Sequence, residues 1–275
     1  MPVDAELRSL DIAIPAQPEA LVKLSLLMAE DDIDVPSIAR LVESDMALAA
    51  AVMKAVNSSL YGLKGRVQSV QQAITYLGMR EVAGIMFEMG LRAAFPPAAE
   101  LEPLWQRAAM RGVLMGRLAQ KLQQDAWAAH SAGLFEECGK AVLFRHASDH
   151  YRSMLRAASS DSELLDLEHA GFGVSHDALG AALCQSWGLH PDAVASVRHH
   201  VAVQTAQAFP EGVDRRPVTA LSAIAAALMG GSPPLEACVE ALAAPARMDP
   251  AQVLQAAQRI AAELREVGLA EGQPA

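Results

Sequence analysis

The stretch HSAGLFEECGKAVLF, residues 130–144, decides how the rest of the chain is read. Ala132, Leu134, Phe135, Ala141, Val142, Leu143 and Phe144 make it apolar, yet Glu136 and Glu137 stand side by side in its middle, and Gly139 and Lys140 follow. A carboxylate leaves water only at considerable cost, so it is rarely buried without a cation, a set of hydrogen-bond donors or a metal beside it. Whatever faces this acidic pair says what chemistry the protein can do.

Outward from that stretch, the chain has 275 residues, 52% hydrophobic and 20% charged. That length can bury a sizeable core in one large domain or two small ones. Aromatic residues make up only 4%, while long Ala/Leu-rich segments favour helix, so an all-α protein is expected. The net charge of −10 repels phosphate backbones and argues against nucleic acid as a partner. The N-terminus MPVDAELRSL lacks a charged-then-apolar leader pattern, and no apolar run approaches the ~20 residues of a membrane span. Val218 to Met229 is the most apolar segment and reads as a core helix. Cys138, Cys184 and Cys238 are far apart and form no C-x-x-C, which points to small core residues in a reducing cytoplasm and not to disulfides or a zinc knuckle. A cytoplasmic protein outside the membrane is expected.

In chain order, Pro2 to Pro18 reads as an extended arm and Glu19 to Ala29 as a helix. Asp34 is a candidate N-cap with Pro36 in the first turn, and Ile38, Leu41 and Val42 form a buried stripe. MALAAAVMKAV runs as a helix into Asn57, with a stop at Gly62. Ser69 caps and Gly78 terminates the next helix, and Arg80 to Ala94 makes another, ended by Pro96 and Pro97. A boundary is placed near residue 98, giving an N-terminal helical subdomain over 15–97 and a second helical body over 98–270, with 1–14 and 271–275 as flexible ends. The second body is expected to hold helices at 103–124, 126–137, 139–157, 162–170, 176–187, 191–201, 217–229, 234–243 and 250–266.

The helical pair DVPSIARL and DMALAAAVMKAVNSS has the outline of a helix-turn-helix. Its second helix offers Lys54 and little else to read bases or phosphates, so it reads as part of a bundle. The following turn is more distinctive. Asn57, Ser58, Ser59, Leu60, Tyr61 and Gly62 are followed by Ser69, Ala73-Ile74 and Leu77-Gly78. Asn57 and Ser58 can bond backbone at a helix end, and Tyr61 suits a sealed corner. These two motifs, in this order and at this distance, resemble the signature of the HDOD domain.

The resemblance extends over about residues 15 to 245. It implies an N-terminal helical subdomain packed on a degenerate HD-like helical bundle, related to metal-dependent HD phosphohydrolases. Such a hydrolase needs a His, a His-Asp pair and a later Asp to hold a divalent ion that activates water against a phosphate ester. Here Glu136-Glu137 stand at the His-Asp position. Arg107, shortly after Leu104-Trp105, stands near the first His. The segment SAIAAAL, where the later Asp would fall, contains no acid. A guanidinium stays protonated and cannot ligate a metal, so an Arg107–carboxylate salt bridge is expected in place of a metal centre. His176 and the His199-His200 pair also match family positions. If a residual metal were held, Glu136, Glu137, His176, His199 and His200 would hold it; the reading preferred is hydrogen-bonded structural histidines with no metal and no cofactor. The Gly-Tyr-Pro triplet of the related cyclic-dinucleotide phosphodiesterases is absent.

Other candidates fail. Gly171-Phe172-Gly173 follows no strand and is not a dinucleotide loop. Ser131 and Ser175 sit on no strand-turn-helix elbow. Asp31, Asp32 and Asp161 read as solvated loop charges. The expected function is therefore a non-catalytic bacterial signal-transduction module that binds other signalling proteins, with no receiver, kinase or cyclase segment of its own. Two alternatives stay open: a phosphohydrolase with an atypical Glu/His site, and a sensor that binds a small nucleotide without turnover. The expected contact surface is a groove between the subdomains involving Tyr61, Trp105, Arg107, Glu136, Glu137, His176, His199 and His200.

Overall fold

The computed structural model of the chain describes residues 12–28, 34–58 and 67–266. Among its helices, several open on a side chain that accepts from the free N–H groups of the first turn and others have no side-chain cap. In the first part the helices are α1 (Glu19–Met28), α2 (Val35–Glu43), α3 (Met46–Val56), α4 (Val70–Leu77) and α5 (Met79–Ala93). Asp34 caps α2 by accepting from the Ser37 N–H at 2.7 Å, and Asp45 caps α3 through the N–H groups of Ala47 and Leu48. Ser69 accepts from the Gln72 N–H at the start of α4. Gly78, at φ +85°, ends α4; positive φ is where glycine meets no steric penalty. Ile38 and Val42 of α2 are buried as expected, but Ala39 completes the stripe while Leu41 is only half-buried.

The second part comprises a short 3-10 turn Ala99–Leu101, then α6 (Glu102–Lys121), α7 (Ala126–Phe135), α8 (Cys138–His146), α9 (Ser148–Ala157), α10 (Asp161–Phe172), α11 (His176–Ser186), α12 (Pro191–Ala206), α13 (Arg216–Leu228), α14 (Leu235–Leu242) and α15 (Pro250–Glu266). No strand occurs among the described residues, and the fold is all-α. By contact the chain divides into two units. One holds Ala16–Ala94 with the end of α15 from Arg259; the other holds Phe95–Gln258 with residues 12–15. In the first unit α5 packs on α1, α2, α3 and α4. In the second, α7 and α13 pack on each other and each packs on α6 and α12, and α11 crosses both α8 and α12.

Two expectations on the helices are corrected. The single helix expected over 139–157 is two, because Ala147 (φ −148°, ψ 70°) leaves the helical region. The new direction brings Tyr151 of α9 fully inside. The helix expected to stop at 201 runs on to Ala206 and closes on Gln207 in a left-handed conformation, φ 52°.

Small residues set how closely the helices of the second unit approach. A Cβ on Gly139 would lie 1.8 Å from the His176 carbonyl oxygen, and one on Gly133 would lie 2.8 Å from the Arg111 carbonyl. Only glycine lets α8 reach α11 and α7 reach α6 at these points. Those two contacts bring the 130–144 stretch against α6 on one side and α11 on the other. Cys138, Cys184 and Cys238 are all buried and free, as expected of core residues.

Candidate functional site

Glu136 and Glu137 occupy the junction between α7 and α8, and both are buried, at 1% and 4% exposure. Each is fully partnered. Glu137 receives a two-pronged pair of hydrogen bonds from Arg107 of α6, Nε to Oε2 and Nη2 to Oε1, both 3.1 Å. Arg111, one helical turn further along α6, donates to Glu137 Oε2 from Nη1 and Nη2 at 3.3 Å. Lys140, one turn into α8, donates from Nζ to Glu137 Oε1 at 2.7 Å and to Asp161 Oδ1 at 2.7 Å. Glu136 has its own set. Arg111 Nε lies 3.1 Å from Oε1 as an ion pair, Gln204 Nε2 of α12 donates to Oε1 at 2.9 Å, and Ser222 Oγ of α13 donates to Oε2 at 2.6 Å.

The electrostatics follow from this crowding. Burial alone would raise the Glu137 carboxyl's pKa, but Lys140, Arg111 and Arg107 together hold it well below the usual carboxylate range. Burial likewise opposes the charge on Arg111 and Lys140, and the surrounding carboxylates outweigh it and keep both protonated. The expected Arg107–carboxylate bridge is present. Arg107 is half exposed and meets Glu137 alone, whereas the buried Arg111 reaches both glutamates. Asp161, read from sequence as a solvated loop charge, is exposed, but it opens α10 and is the second acceptor for Lys140. Its carboxyl is held low by that ammonium.

A second buried polar chain lies on α9, α10 and α11. Tyr151 Oη donates to Glu168 Oε1 at 2.6 Å, and Glu168 Oε2 accepts from the backbone N–H and from Nδ1 of His176. The rings of His176 and His200 are 5.5 Å apart. His200 Nδ1 donates to the Val197 carbonyl at 2.8 Å. The Nε2 atoms of both residues are buried and find no hydrogen-bond partner among the described residues. Burial and the nearby His176 lower the pKa of His200, against the pull of Glu136. The arrangement fits the expectation of structural histidines at one nitrogen of each ring and leaves the other nitrogen as an open acceptor or donor.

The remaining candidates do not join these clusters. Trp105 lies two residues from Arg107, on the opposite face of α6, and packs in the apolar interior with Phe95 at 5.6 Å. His199 is half-buried, its pKa lowered by burial and by Arg198. Tyr61 and Gly62 lie outside the described residues. Sequence reasoning missed Arg111, Gln204, Ser222, Glu168 and Tyr151. Only Arg111 carried a signal, being four residues after Arg107 and therefore on the same helical face.

The site does not suit the divalent ion implied by the resemblance to HD hydrolases. A metal needs free carboxylate or imidazole lone pairs converging on one point. The oxygens of Glu136 and Glu137 are taken by two guanidiniums, an ammonium, an amide and a hydroxyl, and fixed positive charge surrounds them. No group of three His, Cys, Asp or Glu residues is placed to hold a metal among the described residues. No helix among those residues is long and apolar enough to cross a membrane.

Residues 14–203 match the HDOD domain. An uncharacterized protein of Treponema pallidum (strain Nichols) is 26% identical over 192 residues, 68% of this chain. The chain spans 37% of that relative's length. Solved structures share the fold. A candidate signal transduction protein of Marinobacter aquaeolei VT8 superposes at TM-score 0.73 with 21% identity, over 98% of this chain and 66% of the other. A candidate phosphohydrolase of Shewanella amazonensis SB2B gives 0.71 with 19% identity, over 97% and 98%. An HDOD domain protein of unknown function from Geobacter sulfurreducens gives 0.71 with 18% identity, over 96% and 95%. The domain match covers most of the chain, and the protein belongs to the HDOD family.

Proposed function

We propose that this HDOD protein is a cytoplasmic signalling module that works by binding another protein and not by turnover. One observation carries the reading: the carboxylates at the HD-like position are saturated by the protein's own cations and donors. Metal-assisted hydrolysis needs a lone pair free for the ion and a water activated beside it. A carboxylate held ionised by three cations is also a weak base, so proton abstraction is poorly served. The description of the Marinobacter neighbour as a signalling protein agrees with this reading, and so does a surface of net negative charge, which disfavours nucleic acid.

The test is turnover. Purified protein, supplied in turn with Mn²⁺, Mg²⁺, Ni²⁺ and Zn²⁺, is expected to hydrolyse neither generic phosphomonoesters nor phosphodiesters, including cyclic dinucleotides. Ion-dependent hydrolysis that disappears in both Glu136→Ala and His176→Ala would overturn the proposal in favour of an atypical phosphohydrolase. A second reading, a small-ligand sensor, has one observation in its favour: the unpartnered Nε2 atoms of His176 and His200. A nucleotide that raises the melting temperature of the wild type but not of His200→Ala would establish it.

A further inference from the structure

We propose that the Arg111 guanidinium is the permanent cation of the Glu136–Glu137 pocket, standing where a divalent ion would otherwise bridge the two carboxylates. Three features of the geometry support this. Arg111 reaches both glutamates, pairing by charge with Glu136, whose Oε1 lies 3.1 Å from Nε without hydrogen-bond alignment, and donating from Nη1 and Nη2 to Glu137 Oε2 at 3.3 Å. All three side chains are buried, at 7%, 1% and 4% exposure, so the charges are little screened by solvent. The other cations do not do the same work: Arg107 is half exposed and meets Glu137 only, and Lys140 meets Glu137 and Asp161.

The role is therefore that of a bridging ion. It neutralises adjacent carboxylates at the α7–α8 junction and ties them to α6. Gly112 and Gly133 support this placement from the backbone side. A Cβ on Gly133 would meet the Arg111 carbonyl and the Gly112 Cα at 2.8 Å, so α7 can lie directly on the turn that carries Arg111. A guanidinium suits the place because it stays charged at any physiological pH and offers several donors in a fixed plane. A bound ion can be lost to a chelator, but this one cannot. The unpartnered Nε2 atoms of His176 and His200 are then left without the ion that such imidazoles could have ligated.

The experiment measures melting of the full chain as wild type, Arg111→Met, Glu136→Gln and the double variant Arg111→Met/Glu136→Gln. Each is melted with EDTA, with MnCl₂ and with ZnCl₂. The wild-type melting temperature is expected to be the same in all three. Arg111→Met takes the cation from Glu136 and one of three from Glu137, and is expected to melt roughly 10 °C lower in EDTA. Glu136→Gln in that background is expected to recover part of the loss, and Mn²⁺ or Zn²⁺ is expected to raise the melting temperature of Arg111→Met but not of the double variant. A wild type that melts higher with either ion or lower with EDTA overturns the proposal. So do strictly additive losses, and so does an Arg111→Met protein that no ion stabilises. If Arg111→Met alone fails to fold, a folded double variant supports the proposal and an unfolded one overturns it. A wild type indifferent to metal that nonetheless hydrolyses phosphodiesters would sink the binding function and leave this assignment standing.

Discussion

Glu168 and His176 are both fully buried, and Glu168 Oε2 accepts the backbone N–H of His176 at 2.7 Å while lying 2.8 Å from its Nδ1. A carboxylate can only accept, so Nδ1 carries the proton and Nε2 faces away from α10. Tyr151 Oη supplies a third donor at 2.6 Å, and both burial and Glu168 push that phenol's pKa well above its usual range. One glutamate thus fixes the entry to α11, the tautomer of its first residue and the inward turn of α9.

Removing that glutamate should expose the dependence. Glu168→Ala leaves three buried donors unpaired and is expected to cost about 3–5 kcal/mol. Tyr151→Phe removes a single bond to a charged acceptor and is expected to cost about 1–3 kcal/mol. Urea unfolding monitored by circular dichroism checks both. A Glu168→Ala protein within experimental error of wild type would show that the three donors find other partners.

The two α8–α11 glycines should differ sharply. A Cβ on Gly139 would sit 1.8 Å from the rigid His176 carbonyl, whereas one on Gly180 would meet the Val197 Cγ1 methyl at 3.0 Å. A methyl on a side chain can yield by a few tenths of an ångström; the backbone of a helix-entry residue whose N–H is held by Glu168 cannot. Gly139→Ala is expected to lose about 3 kcal/mol or more and Gly180→Ala about 1 kcal/mol. Denaturation midpoints of the two variants decide the order.

What the sequence made legible divides along the same physical line. Asp34, Ser69 and Gly78 were readable because a cap and its helix lie within four residues of each other. The Arg107 bridge was readable because a buried acidic pair demands a cation and few were available in the matching segment. Arg111 was hidden by that success, since one arginine had already been assigned the role. Lys140–Asp161 and Ser222–Glu136 were not legible, because their partners lie 21 and 86 residues apart and no local periodicity connects them. The break at Ala147 carried no proline or glycine. It is enforced by where Tyr151 must reach, which is a tertiary demand.

Asn57 offers a prediction for the other unit. Its Nδ2 donates to the Met53 and Val67 carbonyls at 3.0 Å, and its Oδ1 accepts from the Val67 N–H at 3.3 Å. One side chain therefore ends α3 and clasps the backbone ten residues later. Asn57→Ala is expected to cost about 1–3 kcal/mol and to speed amide exchange at Val67 more than at the α5 core, since local opening there no longer breaks the clasp. Equal protection at Val67 in the variant would show that the clasp contributes nothing.

The pH dependence follows from Glu137. Burial would raise its carboxyl's pKa, yet Lys140, Arg111 and Arg107 depress it well below the unfolded value of 4.5. A group whose folded pKa is depressed contributes stability that is fully present above its unfolded pKa and is lost as pH falls through the folded one. Asp161, lowered from 3.8 by Lys140, acts in the same direction over a slightly lower range. Stability should hold from neutral pH down to about 5 and then fall steadily as the solution is acidified further. In Glu137→Gln this titration is absent, so the variant is expected to be less stable at pH 7 and to lose less on going to pH 3. Urea midpoints of both proteins at pH 7, 5, 4 and 3 test it. Parallel curves across that range would mean that the carboxylate is not held ionised by its three cations, and the electrostatic account of the pocket would fall with it.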